Sequence, residues 1–162
     1  MLITKKIEID MGHRVPNHKS KCRNLHGHRY VIEVGIDDKI INKTGVSDEG
    51  MVIDFNDLKE IMMREIDDKF DHGFVMYEKD VFASMFNWLT TGKEFPIVQQ
   101  EPNFITGPYK PQKIIFVDFI PTAENLAKHW YELIKPRLQE RSIKLAHVKV
   151  WETPNSTAIY NE

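Results

Sequence analysis

Two stretches of the chain alternate apolar and polar residues with a period of two, and they constrain the fold more than anything else in it. In residues 2–11, Ile3, Lys5, Ile7, Ile9 and Met11 share one face, and Thr4, Lys6, Glu8 and Asp10 share the other. In residues 26–37, His28, Tyr30, Ile32, Val34 and Ile36 face one way, and Arg29, Glu33 and Asp37 face the opposite way. Successive side chains of a strand point to opposite faces, so each pattern reads as a half-buried strand, and the two predict an antiparallel pair. Residues 14–25 between them are polar and irregular and read as a loop. His13 extends the face of Ile7, Ile9 and Met11 if the first strand runs that far.

Beyond this pair the period changes. Asp54 is placed as an N-cap, and Phe55, Leu58, Ile61, Met62, Ile66 and Phe70 follow at helical spacing, with Glu65 the polar exception on that stripe. A helix is predicted over 55–69, with Asp71-His72-Gly73 at its C-terminal end. Residues 74–119 are broken by Gly92, Pro96, Pro102, Gly107, Pro108 and Pro111. Within them, Val81, Phe82, Met85, Phe86 and Leu89 suit a short amphipathic helix, and Ile114–Val117 suits a strand or a buried segment. A structureless connection of that length is unusual in a compact domain, so local structure or a functional role is expected there.

Thr122 in Pro121-Thr122-Ala123-Glu124-Asn125 is positioned to cap a second helix, whose apolar stripe is Leu126, Ala127, Trp130, Leu133 and Ile134 and whose end Pro136 is expected to limit. Residues 143–152 alternate again, with Ala146, Val148, Val150 and Glu152 on one face, and residues 157–160 form a last short strand. The order ββ, helix, excursion, helix, ββ predicts an α+β fold, an antiparallel four-stranded sheet with two helices on one face. At 162 residues the chain is read as one domain with an inserted excursion at about 75–118.

The formal net charge of −2 argues against a general nucleic-acid binder, which carries a basic stripe. One cysteine excludes an intrachain disulfide and fits a reducing cytoplasm. The N-terminal residues lack the apolar run of a signal peptide, and no stretch approaches the ~18 apolar residues of a membrane span. The expectation is a cytoplasmic protein.

The chemistry converges on Cys22-Arg23-Asn24-Leu25-His26-Gly27-His28. His26 and His28, at i and i+2, project from one face of a strand, and His13 sits at the end of the neighbouring strand. Three histidines with one open position match the ligand set of catalytic zinc. In the plainer reading, His13 is incidental and the His-Gly-His run is only a strand start. Cys22 stands among Lys19, Lys21 and Arg23, cationic neighbours that favour a thiolate; taken alone it is a small buried hydrophobe. Asp71-His72 reads either as a helix terminus or as a proton relay. Adjacent side chains seldom bond each other usefully, so one of the two is expected to engage a partner elsewhere. Glu152, on an otherwise apolar face, is either hydrated at the sheet rim or a partner for ligand donors. His18, His129 and His147 read as ordinary surface or helix-face residues.

Together these residues resemble the family of 6-pyruvoyl-tetrahydropterin synthase and 6-carboxy-tetrahydropterin synthase (QueD). The likeness is carried by His13 in Gly-His-Arg-Val-Pro, the run from Cys22 to His28, Ile53-Asp54-Phe55 before Leu58-Lys59, Asp71-His72, Pro121 to Asn125, and Glu152-Thr153 followed by Ala158 and Tyr160. It covers about residues 1–74 and 120–162. It implies a tunnelling fold whose sheets join into a barrel in trimers, commonly stacked into hexamers. It implies zinc on His13, His26 and His28, and Cys22 as the base acting on the substrate side chain. Asp71 and His72 would complete the relay from a neighbouring subunit, and Glu152 would anchor the pterin ring, with Thr122 helping at the same end.

The short Cys-to-His spacing resembles the bacterial 6-carboxy branch, which converts 7,8-dihydroneopterin triphosphate to 6-carboxy-tetrahydropterin, losing acetaldehyde and triphosphate, on the way to queuosine. The rival readings are the 6-pyruvoyl product or other side-chain chemistry on the same substrate, and a zinc-stabilised assembly module without catalysis. Two departures stand out: Met11-Gly12 where the family has a small-residue pair, and residues 73–120 where it has a short link. The excursion's Phe82–Leu89 part is expected at the assembly surface or over the site mouth.

Overall fold

Two long strands, β1 (Leu2–His13) and β2 (His26–Asp37), pair antiparallel without a slip from Leu2 opposite Asp37 to His13 opposite His26. The first strand therefore does reach His13, and the ladder ends on a histidine pair. The computed structural model describes residues 1–91 and 111–162. The face carrying Ile7, Ile9, Met11, Tyr30, Ile32, Val34 and Ile36 is buried, as the alternation requires. On the opposite face, Lys6 pairs with Glu33 across the ladder at 3.4 Å, and Arg29 grips Asp10 through two contacts of 3.0 and 2.9 Å.

The sheet then grows in both directions. β5 (Leu145–Thr153) pairs with β2 and β6 (Ser156–Tyr160) pairs with β5, both antiparallel. These four strands are the predicted antiparallel set. Two more join at the other edge: β3 (Phe74–Tyr77) lies parallel to β1 through Gly12, and β4 (Ile114–Val117) lies parallel to β3. The expected four-stranded antiparallel sheet is thus a six-stranded mixed sheet of order β4-β3-β1-β2-β5-β6. Both added strands fall within the expected excursion. Each is four residues of nearly continuous apolar sequence, too short and too uniform to show a period of two. Of the breakers read there, Gly92, Pro96, Pro102, Gly107 and Pro108 lie outside the described residues.

Asp54 caps α1 (Phe55–Met62) by accepting from the Asn56 amide at 2.7 Å. The predicted 55–69 helix is not uniform. Residues Met63–Asp67 form a π-helical segment before a last turn, α2 (Asp68–Phe70). Glu65 lies in that segment, buried, and accepts from Arg64, Lys69 and Arg137. A short helix, α3 (Ala83–Thr91), follows β3.

The long helix α4 (Ala123–Gln139) starts at Thr122, whose side chain accepts from the Asn125 amide. Pro136 lies inside it and does not end it, contrary to expectation. The missing Pro136 N–H is offset by what the extra turn gains: it buries Leu138 and aims Arg137 at Glu65, 2.8 Å away. Leu58, Met62 and Ile66 from the first helical run, and Leu126, Trp130, Ile134 and Leu138 from α4, pack with Tyr30, Ile32, Val148 and Val150 in one core. Among the described residues no helix is long and apolar enough to cross a membrane.

Candidate metal centre and active site

Strand register brings the three candidate metal ligands together. His13 and His26 face each other across the ladder, and His28 follows two positions along the same face. Their rings stand 4.5 Å (13 to 26), 5.3 Å (13 to 28) and 5.1 Å (26 to 28) apart, and one nitrogen from each lies within 4.8 Å of the other two. Tyr30, next on the face, sets its ring edge-on to His13 and His28, and Trp130 of α4 stands edge-on beneath it. His13 and His28 therefore rest on an aromatic floor that limits how they rotate, and His26 packs against both of them.

The histidines also suit a cation chemically. His13 Nδ1 donates to the Pro121 carbonyl at 2.7 Å, and His26 Nδ1 donates to the Asn24 carbonyl at 2.8 Å. A carbonyl can only accept, so both rings keep their Nδ1 proton, and the neutral form of each carries its lone pair on Nε2. His13 Nε2 is buried without a hydrogen-bond partner among the described residues. Burial, aided by the nearby His26 and His28 and opposed by the Pro121 carbonyl, pushes the His13 pKa down to about 4. His28 is also lowered, by burial first and His26 next, against the pull of Glu152. Neutral imidazoles with outward lone pairs and carbonyl-fixed tautomers are what a metal ligand requires.

Glu152 stands beside this cluster. Its Oε1 is 3.6 Å from His13 Nε2 and 4.0 Å from His28 Nε2, and it accepts from Tyr30 Oη at 3.4 Å. Glu152 is partly exposed and its side-chain neighbours are Tyr30, His13 and His28. A pocket of about 270 Å³ opens next to it, lined by His13, His18, Cys22, Thr122, Glu124 and Glu152 among others. Cys22 lies in a 3₁₀ turn, Lys21–Arg23, and its carbonyl accepts from the Val15 amide at 2.8 Å. His18 is less ordinary than its sequence context implied, since it lines the same pocket.

Asp71 and His72 are placed differently. His72 Nδ1 bonds Asp71 Oδ2 at 2.6 Å, so these adjacent side chains do bond each other. His72 adopts a left-handed backbone, φ 54°, which lets its ring meet its neighbour, while Asp71 also engages a partner elsewhere, as expected. β1 holds both residues: the Asp10 amide donates to Asp71 Oδ1 at 2.9 Å, and the His72 amide donates to the Asp10 carbonyl at 2.7 Å. His72 lines a different pocket, with His28, Arg29 and Lys113, and that pocket shares no residue with the Cys22 pocket. Within one chain, the residues around Cys22 and the Asp71-His72 pair are separate.

Sequence reasoning missed Tyr30 and Pro121 as members of the site. Tyr30 could have been found from its period-two position after His28. The carbonyl contribution of Pro121 leaves no signal in residue type.

A profile of 6-pyruvoyl tetrahydropterin synthase matches residues 2–162. This chain belongs to the 6-pyruvoyl tetrahydropterin synthase family. Among curated members, it is 38% identical over 153 residues to a Rickettsia felis protein named 6-carboxy-5,6,7,8-tetrahydropterin synthase, covering 94% of each chain. It is 32% identical over 160 residues to the Haemophilus influenzae protein of that name, covering 99% of this chain and 98% of the other. Its fold is similar to that of an uncharacterized Wolinella succinogenes protein, with a TM-score of 0.76, 26% identity and coverage of 100% and 98%. It also resembles 6-pyruvoyl tetrahydropterin synthase of Caenorhabditis elegans, with a TM-score of 0.63, 24% identity and coverage of 100% and 95%. As a pterin synthase family member the chain is an enzyme of the lyase type, which removes the non-catalytic assembly module from the readings.

Proposed function

We propose that this enzyme converts 7,8-dihydroneopterin triphosphate and one water to 6-carboxy-5,6,7,8-tetrahydropterin, releasing acetaldehyde and triphosphate, with zinc held by His13, His26 and His28. The observation that carries the reading is the convergence of three imidazoles beside a pocket that holds Cys22, Thr122 and Glu152. The names of the curated bacterial relatives favour the 6-carboxy product over the 6-pyruvoyl one.

Zinc, when bound, supplies a Lewis acid that stabilises negative charge developing on side-chain oxygens of the substrate. The chain's own residues do the rest. Glu152 receives the ring N–H and amino donors of the pterin, and Thr122 lines the same end. Cys22 moves protons on the three-carbon side chain. Asp71 holds His72 by its Nδ1 proton and leaves Nε2 to exchange protons with the reacting group. Because His72 and Cys22 line separate pockets, a second copy of the chain brings its Asp71-His72 pair to this Cys22. The active form is then a trimer-based homo-oligomer, up to a hexamer. The two sheet edges, β4 and β6, have no further strand partner among the described residues, which suits edge-to-edge joining.

The test is zinc-loaded protein with dihydroneopterin triphosphate, scored by product mass, with Cys22→Ala in parallel. The 6-carboxy product from wild type and none from the variant is expected. A 6-pyruvoyl mass would transfer the enzyme to the other branch, and full turnover by Cys22→Ala would remove the thiol from the mechanism.

A further inference from the structure

Arg14, the residue after His13, is buried against Asp80 from the turn between β3 and α3. Arg14 Nε lies 3.0 Å from Asp80 Oδ2, and the two side chains are 9% and 0% exposed. Among the described residues no other ion pair has both partners this deeply buried. Neither atom makes an aligned hydrogen bond, so the contact is one of compensating charge. The Phe82 ring stands 4.5 Å from the Arg14 guanidinium carbon and covers it. Asp80 itself is fixed: its amide donates to the Tyr77 carbonyl at 2.9 Å, and its Oδ1 accepts from the Phe82 amide at 2.9 Å.

What Arg14 joins is the point of interest. On one side is His13, held by Pro121. On the other is Val15, whose amide carries the carbonyl of Cys22. Three consecutive residues thus link the metal cluster, the buried ion pair and the Cys22 turn. Replacing a buried ion pair by apolar residues is often neutral or stabilising, so stability alone gives little reason to keep one here.

We propose that Asp80 is a positioning residue: through Arg14 it sets where the Cys22 turn stands relative to His13, and this gives the β3–α3 part of the excursion a role at the site. The proposal rests on Cys22 being the proton-moving group. Asp80 touches no reacting atom. It fixes the base of the loop that presents the thiol.

The experiment uses full-length, zinc-loaded enzyme and two readouts. The first is the rate of Cys22 alkylation by iodoacetamide without substrate, unambiguous because the chain has one cysteine. The second is kcat and KM on dihydroneopterin triphosphate. Asp80→Asn is expected to speed alkylation about fivefold by loosening the loop, and to lower kcat about tenfold with KM within about threefold. Glu65→Gln, a buried charge far along the fold from the loop, serves as comparator; it should lose stability yet keep the wild-type alkylation rate and kcat. The exchange Arg14→Asp with Asp80→Arg should recover part of both readouts. If Asp80→Asn does not fold, Phe82→Leu keeps the ion pair and opens its cover, and should shift alkylation in the same direction by less. Wild-type alkylation rates in the folded variants, or an equal shift in Glu65→Gln, would overturn the proposal. An alkylation shift in an enzyme with no turnover on this substrate would uphold the positioning role and reject the proposed reaction.

Discussion

His13 donates its Nδ1 proton to the backbone carbonyl of Pro121, 2.7 Å away and 108 residues along the chain, so the turn before α4 decides which nitrogen His13 offers. That turn is held by Asn125, whose Nδ2 donates to the Ile120 carbonyl at 2.9 Å and whose amide meets Thr122 Oγ1 at 3.4 Å. Asn125→Ala removes the first of these and lets the Pro121 carbonyl drift. Its effect on folding should be small, about 1 kcal/mol. Its effect on zinc should be larger, about a tenfold weaker Kd, because outer partners orient metal-bound imidazoles. Competition against a chromogenic chelator measures this. An unchanged Kd would mean that the Pro121 turn does not control His13.

The left-handed backbone of His72 gives a second prediction. A φ of 54° costs a residue with a Cβ about 1–2 kcal/mol relative to its ordinary conformations. The cost is tolerated here because it returns the ring to Asp71 and lets the His72 amide reach Asp10. His72→Gly and His72→Ala both lose the imidazole, so both should lose turnover. They should differ in stability, with the glycine variant about 1 kcal/mol more stable in urea unfolding. Equal midpoints would show that no strain is stored there.

Much of this fold was readable because β1, β2 and β5 are half-buried strands whose faces differ in polarity. The same period placed Glu152 on the face of Val148 and Val150, and the pairing of β5 with β2 makes that the face of His28 and Tyr30. Where a strand is only four residues long and apolar throughout, no period of two can show, so Phe74–Tyr77 went unread and Ile114–Val117 stayed ambiguous. Pro136 was misread for another reason: a local rule about the helix interior was outweighed by Leu138 and Arg137, whose partners lie elsewhere in the chain. The cluster of His13, His26 and His28 was legible because spacing carried it. Arg14 with Asp80, and His13 with Pro121, were not, since these contacts join distant segments and leave no periodic trace.

Glu65, the polar exception on the first helical stripe, gives a third prediction. Burial would raise its pKa, but hydrogen bonds from Lys69, Arg137 and Arg64 overcome this and hold the carboxyl at about 2, against 4.5 for a free glutamate. A depressed folded pKa means that the stabilisation is fully present above about 4.5 and is lost as the pH falls toward 2. Its size is limited because Arg64, Lys69 and Arg137 are 61%, 45% and 42% exposed and can return to water when the carboxylate is removed. Glu65→Gln should therefore cost about 2 kcal/mol at neutral pH, less than breaking a fully buried pair. The gap to wild type should shrink through the acid range, since protonated glutamate and glutamine present nearly the same group to these cations. Denaturant unfolding of both proteins at a series of pH values between neutrality and the acid limit measures the gap. Parallel stability curves for the two proteins would show that the Glu65 charge contributes nothing to the fold.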